Sequence, residues 1–317
     1  MNFNELLSLY QKMLAENRQL KEKIKQLESL AENEVGNFGD DKKTIEKSNK
    51  PDIAESHSQK IQTKRITKHS SPSQKIELFA SLFRGREDVF ATRWENNKKG
   101  ISGYSPACGN EWVPGICQKP KIKCSVCKNK DYLELTNQVI ENHLRGKIVA
   151  GVYPLLSDET CWFLAMDFDG DEWQKDIKAI REVCFEFGIP IAVERSRSGN
   201  GAHAWFFFDK PVPAISARKF GSALLTYAMN QRYEITFKSY DRLFPNQDTM
   251  PKGGLGNLIA LPLQKGAREN GNSVFIDENF QPFNDQWAFL STVERLSQNQ
   301  IETLAGQLSQ GSELGVL

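Results

Sequence analysis

The sequence predicts an α/β fold of the α+β kind, built around a split β-α-β-β-α-β unit. Three observations predict it. Between about residues 160 and 265, apolar runs of strand length alternate with segments of helical periodicity. The second and third strands are joined by a short Gly-rich turn, "RSGNG", as hairpin partners require. The order strand, helix, strand, strand, helix, strand defines the split unit.

The elements follow in chain order. Residues 3–30 carry Phe3, Tyr10, Asn17 and Ile24 at one heptad position and Leu6, Met13, Leu20 and Leu27 at another. These a and d stripes, flanked by Lys and Glu, predict a coiled-coil helix over 1–31, with Asn17 as the register-fixing polar residue. A single amphipathic helix docked on its own domain is the alternative. Residues 32–74 are polar, poor in aromatics and end in "KRITKHSSPSQ", which predicts a flexible linker. A catalytic-sized domain is expected over 75–296, and a helix and tail over 297–317. "KIELFASLF" predicts the domain's first helix. The next segment, "RGREDVFATRW", offers Arg84, Arg86, Arg93 and Trp94 for phosphate contact and stacking. Its spacing equally suits an ordinary charged surface with Trp94 anchored in the core.

Within the split unit the expected elements are a strand over 161–169, a helix over 172–188, and strands over 189–196 and 202–209. A helix from Pro213 to about Gln231 and a strand at "YEITF" complete it. In an RRM-like sheet of this order the first and third strands lie side by side at the centre. "GNLIALPLQ" is expected to extend that sheet, and residues 285–308 to be helical.

Two carboxylates end the first strand. Asp167 and Asp169 alternate with Phe168, so they share a face. Like charges that close repel, and each is costly to desolvate. A bound Mg²⁺ or Mn²⁺ relieves both, because these ions favour carboxylate oxygens. A strand end emerging into a polar turn, with Gly170 and Asp171 next, is the plainer reading. The turn after the second strand holds Ser198, Gly199, Asn200 and Gly201, with His203 opening the third strand. Glycines there let amide N–H groups approach an anion, so this segment is a candidate triphosphate grip. A plain hairpin with a half-buried histidine is the competing reading. Further on, "SYDRLFPNQDTMPKGG" offers Asp248 as a third carboxylate, with Asp241 as its competitor. Lys252, Lys265 and Arg268 are spaced to meet phosphates. Phe206 and Phe208 read as core.

Cys108, Cys117, Cys124 and Cys127 fall within twenty residues and close with Cys-Ser-Val-Cys, predicting a structural Cys₄ Zn²⁺ knuckle over 104–131. Free thiols on a loop are the alternative. Between Gln118 and Lys130 lie five lysines and no acid, Lys121 and Lys123 among them, a local surface suited to a nucleic-acid backbone. Cys161 and Cys184 lie in apolar runs and read as core. The 317-residue chain has a formal net charge of +1, so any basic surface is local. The charged N-terminal segment predicts no signal peptide, and no apolar run is long enough for a membrane span. A cytoplasmic protein is expected.

"DFD" at 167–169, "SGNGAH" at 198–203 and Asp248 in "FPNQD" together resemble the archaeo-eukaryotic primase superfamily, the primase-polymerases. "FRGREDVFATRW", "GNLIALPLQ" and the cysteine knuckle look most like its members associated with CRISPR loci and the primase modules of TOTE conflict systems. The resemblance spans roughly 75–295. It implies a nucleotidyltransferase that copies a single-stranded DNA template from nucleoside triphosphates, starting chains de novo. Asp167, Asp169 and Asp248 would hold two divalent ions, and Ser198, His203 and the turn amides would grip the triphosphate. The zinc knuckle would help hold the initiating nucleotide or template. CRISPR adaptation proteins or a helicase are the implied partners. The rivals from other classes are a metal-dependent nuclease and a non-catalytic RRM-like nucleic-acid binder.

The heptad seam generates the first test. Full-length protein should self-associate, as a parallel dimer, and deletion of residues 1–74 should give a monomer by light scattering. Each buried seam leucine should contribute roughly 1.5–3 kcal/mol. A monomeric full-length chain at micromolar concentration would instead assign the helix to its own domain or to another protein.

Overall fold

A computed structural model describes residues 65–231, 238–250 and 252–310. The coiled coil, most of the linker and the "YEITF" segment lie outside the described residues.

The fold is mixed α/β with two antiparallel sheets. Helix α1 (Pro72–Leu82) starts three residues before the expected boundary, because Ser71 and Gln74 form a reciprocal capping box and Pro72 sits in the first turn. Strands β1 (Ala91–Asn96) and β2 (Ile101–Pro106) form a hairpin. After the cysteine segment come α2 (Asn137–Leu144) and β3 (Ala150–Val152). Then follow β4 (Thr160–Asp169), α3 (Trp173–Glu186), β5 (Ala192–Arg195), β6 (Gly201–Pro213), α4 (Ala214–Gln231) and β7 (Tyr240–Phe244). The remaining elements are β8 (Ile259–Ala260), α5 (Lys265–Arg268), β9 (Val274–Phe275), α6 (Gln286–Leu290) and α7 (Gln298–Gln310).

One sheet runs β2-β1-β3-β8 and the other β7-β4-β6-β5-β9. The first and third strands of the split unit, β4 and β6, are therefore adjacent and central. Two expectations are corrected. "GNLIALPLQ" does not extend the sheet that carries β4. Its strand β8 pairs with β3 through Gly151↔Ala260 and Val152↔Ile259, while β9 fills the open edge of β5. The helical stretch at 285–308 breaks into α6 and α7. Asp285 caps α6 by accepting from the Trp287 and Ala288 amides, and Leu296 then pairs with Phe208 as a bridge.

The core lies against β4 and β6. Cys161 and the run Phe163–Met166 are buried, and so are Trp205 to Phe208 opposite them. Trp205 meets Phe83 edge-on at 5.0 Å and Phe163 at 5.1 Å. Truncating one such buried aromatic to Ala costs about 3–5 kcal/mol. Phe206, Phe208, Cys161 and Cys184 are core, as read from sequence. Burial pushes the Cys161 thiol up to about 12, which leaves it inert. Trp94 is not anchored in the core: it is 44% exposed and lies over Gly103, where a Cβ would come within 2.8 Å of its ring. No helix among the described residues is long and apolar enough to cross a membrane.

His143, fully buried on α2, pins the two halves of the domain. Its Nδ1 accepts from the Ala150 amide at 3.1 Å, and its Nε2 donates to the Pro262 carbonyl at 2.9 Å. Burial lowers its pKa to about 4. Unfolded histidine titrates near 6.5, so the unfolded chain binds the extra proton first as pH falls. This contribution is complete above pH 6.5 and is lost as pH falls through the window down to about 4. It amounts to roughly 3 kcal/mol. Urea unfolding midpoints should fall between pH 7 and pH 4.5 in the parent and much less steeply in His143→Gln. Equal slopes would show that His143 is not the titrating group.

Candidate active site

The site is built where β4, β6 and β7 end together. In the β4–β6 register, Asp167 faces His203 and Asp169 faces Gly201. Paired residues of antiparallel strands share a face, so the acidic pair and the histidine meet. Gly201 is required by closeness: a Cβ there would lie 2.6 Å from an Asp169 oxygen and 2.5 Å from the Phe168 carbonyl. The turn itself is knitted by its serines. Ser196 and Ser198 hydroxyls lie 3.0 Å apart, Ser198 Oγ accepts from the Asn200 amide at 3.2 Å, and Gly199 has φ +83°. Both serines of the turn are thus in one hydrogen-bond chain.

The third carboxylate comes from β7. The β4–β7 register slips between Asp167 and Phe168, so that Asp167 faces Arg242 while Phe168 faces Tyr240. Asp241 is the extra residue of that bulge, and a bulge turns its extra side chain out of strict alternation. The result is a group of Asp167, Asp169 and Asp241 in which one oxygen of each lies within 4.8 Å of the others. Arg242 Nε donates to Asp241 Oδ2 at 2.6 Å. The candidate third carboxylate read from sequence, Asp248, is elsewhere: it is ion-paired with Arg218 of α4. This is a correction in favour of its competitor. Asp169 has its pKa raised by partial burial, then by the Asp167 charge, with Asp241 adding to it. Proton affinity raised by neighbouring carboxylates is what a cation at the same place would relieve.

Glu194 was not legible as a site residue. It is 2% exposed on β5 and holds three groups. His203 Nδ1 lies 2.9 Å from its Oε2, the Trp205 indole donates to it at 3.1 Å, and Ser273 Oγ donates to Oε1 at 3.0 Å. An acid inside the apolar run "IPIAVERS" was the available signal. His203 Nε2 lies 3.4 Å from Asp167 Oδ1. Burial pulls the His203 pKa down, but the Glu194 charge and the Asp167 hydrogen bond outweigh it and lift it to about 10. His203 is therefore an imidazolium at neutral pH, bridging a buried carboxylate to the acidic cluster. Behind the cluster, Ser239 accepts from the Asp169 amide through its carbonyl at 2.7 Å, and its hydroxyl donates to buried Asp176 of α3.

The other residues singled out by sequence are spread more widely. Lys252 is exposed. Lys265 pairs with Glu269 at 3.7 Å, and Arg268 donates to the Leu144 carbonyl at 3.2 Å, which serves the end of α2. Arg84 lies 3.8 Å over the Trp162 ring, Arg86 pairs with Asp88, and Arg93 pairs with Glu95 and donates to Ser102 Oγ at 2.7 Å. Cys108, Cys117, Cys124 and Cys127 are half-buried and line one cavity with Lys119, Ile122 and Tyr132. Their sulfurs do not meet the 4.8 Å spacing of the three aspartates. Lys121 and Lys123 are exposed beside that cavity.

A three-carboxylate group on adjacent strands, beside a glycine turn, defines a candidate metal-dependent site in an α/β domain. The model of the TOTE conflict system Archaeo-Eukaryotic Primase domain matches residues 74–304, and the chain belongs to that family. Among solved structures, the chain is similar to the polymerase domain of Mycobacterium tuberculosis ligase D in complex with DNA, at 14% identity and a TM-score of 0.34. That likeness covers 75% of this chain and 89% of that one. No curated protein sequence matches the chain.

The geometry separates the two candidate carboxylates. Asp241→Ala should weaken Mn²⁺ binding, read by electron paramagnetic resonance, by at least about tenfold, as loss of a ligand does. Asp248→Ala should leave it near the parent value. The reverse pattern would return Asp248 to the metal group.

Proposed function

We propose that this chain is a primase-polymerase: a nucleotidyltransferase that begins and extends DNA or RNA strands on a single-stranded DNA template. The single observation that supports this most is the Asp167–Asp169–Asp241 group set against the Ser196–Gly201 turn, inside a primase-family domain. The donor set suits Mg²⁺ or Mn²⁺, since it is all carboxylate oxygen. Two such ions, when bound, would activate the attacking 3′-OH and steady the triphosphate leaving group.

The chain's own residues do the rest. Asp167, Asp169 and Asp241 would carry the ions, held apart by strand spacing and by the bulge. His203 offsets part of their negative charge and fixes Asp167 through Glu194. Ser198 with the Gly199 and Gly201 amides would receive the triphosphate, because a tight glycine turn presents N–H groups to an anion. The β4–β7 portion, with β4 and β6 central, would act as an RRM-like module whose exposed strand face carries aspartates. Four thiols on one cavity suit a structural Zn²⁺ in donor chemistry. Lys121 and Lys123 beside it would lie along a nucleic-acid backbone, steadying template or initiating nucleotide. Residues 3–30 would recruit a second copy or a partner helix, and a CRISPR or mobile-element conflict system is the proposed setting.

Incubation with single-stranded DNA, Mn²⁺ and labelled nucleotides tests the reading. Extended products are expected, and Asp167→Asn should lower synthesis on the order of a hundredfold or more in a folded protein. Template degradation without incorporation would make the protein a nuclease. Protein purified without chelator should hold one zinc per chain by elemental analysis, lost in Cys124→Ser plus Cys127→Ser.

A further inference from the structure

Arg197 follows Ser196 in the turn beside the aspartates, and it was not singled out by its sequence context. Among the described residues its guanidinium has one ionic partner, Glu95 of β1, at 3.6 Å. The same Glu95 carboxylate pairs with Arg93. Two guanidiniums from two different sheets therefore converge on one carboxylate. That carboxylate is half exposed, whereas the Arg93 side chain is only 14% exposed.

The surroundings place this pair at the mouth of the site. Arg93 faces Tyr104 across the β1–β2 hairpin. The Tyr104 phenol, raised in pKa by burial, also feels the charges of Arg197, Arg93 and, on its other side, Glu194. Glu194 in turn holds His203 beside Asp167. Burial depresses the Arg93 pKa, and the neighbouring Arg197 charge depresses it further. Two like charges held together with a single shared counter-charge form an anion site in waiting. Guanidiniums bind phosphate oxygens in a bidentate, planar manner, which an ammonium cannot reproduce. The geometry of the adjacent turn argues for a chain of phosphates rather than a single one, because the amides at 199–201 and the guanidinium at 197 lie in succession.

We propose that Arg93 and Arg197 form a two-guanidinium clamp for the distal phosphates of a nucleoside triphosphate, with Glu95 as the carboxylate that the polyphosphate displaces. The clamp deepens the polymerase reading and rests on it for the identity of the nucleotide, but not for the binding of polyphosphate itself.

Inorganic tripolyphosphate, titrated into the full-length protein by calorimetry without added divalent ion, is the direct probe. Arg197→Ala should weaken its binding on the order of tenfold or more, and Arg197→Lys should restore part of it. Glu95→Gln should tighten binding severalfold, because it removes the competing carboxylate; loss of a merely structural ion pair would not do this. Unchanged binding in Arg197→Ala, or weaker binding in Glu95→Gln, would overturn the clamp. Strand synthesis by a parent protein that does not bind tripolyphosphate would also sink the clamp alone. Tripolyphosphate binding with these variant effects, but no synthesis, would sustain the clamp and sink the polymerase reading.

Discussion

Antiparallel pairing of β4 with β6 sets Asp167 against His203 and Asp169 against Gly201, and the rest of the site is arranged around that register. A slip of one residue would turn the aspartates into the core and bring Phe168 to the surface. The register is held by the buried run Phe163–Met166 facing Trp205–Phe207 and Ala204 on β6. It is also held by the absence of a side chain at Gly201, the one place where the two backbones and Asp169 crowd. The acidic pair then repels itself. His203 offsets part of this as an imidazolium, and Glu194, Trp205 and Ser273 fix the imidazolium in place. A buried ionic network of this kind is retained at a cost in desolvation, which is understandable where its product is a preorganised cluster of carboxylates.

The bulge between β4 and β7 has an equal part in the chemistry. Strict alternation would place Asp241 on the face away from Asp167. The extra residue brings it to the same side, where Arg242 holds it. Asp248 is drawn instead to Arg218 on α4. The two acids differ by only seven positions in sequence, and their fates differ because one sits in a strand bulge and the other in a loop reached by a helix.

Two sheets meet at this point. The β1–β2 hairpin brings Arg93, Glu95 and Tyr104 toward the 196–201 turn, although more than a hundred positions separate some of the residues that interact. His143 ties the two halves from the opposite direction, through the backbone of β3 and the strand that follows β8. The charge arrangement of the site thus depends on contacts between distant segments, while the strand ends that carry its acids depend on local pattern.

The sequence by itself determined the mixed α/β class, the strand order of the split unit, the acidic pair, the glycine turn and the core status of Phe206, Phe208, Cys161 and Cys184. Each follows from a periodicity or a residue type with a local physical meaning. Alternation puts Asp167 and Asp169 on one face whatever surrounds them, and glycines permit a turn whatever lies opposite. Only the tertiary structure decided that Asp241 rather than Asp248 joins the cluster, that β8 leaves for the second sheet, and that Glu194 anchors His203. It also decided that Arg197 shares a carboxylate with Arg93. These are matters of register slip, edge pairing and charge convergence across long sequence separations. Their energies depend on which groups end up within a few ångströms of each other, and no local pattern carries that information.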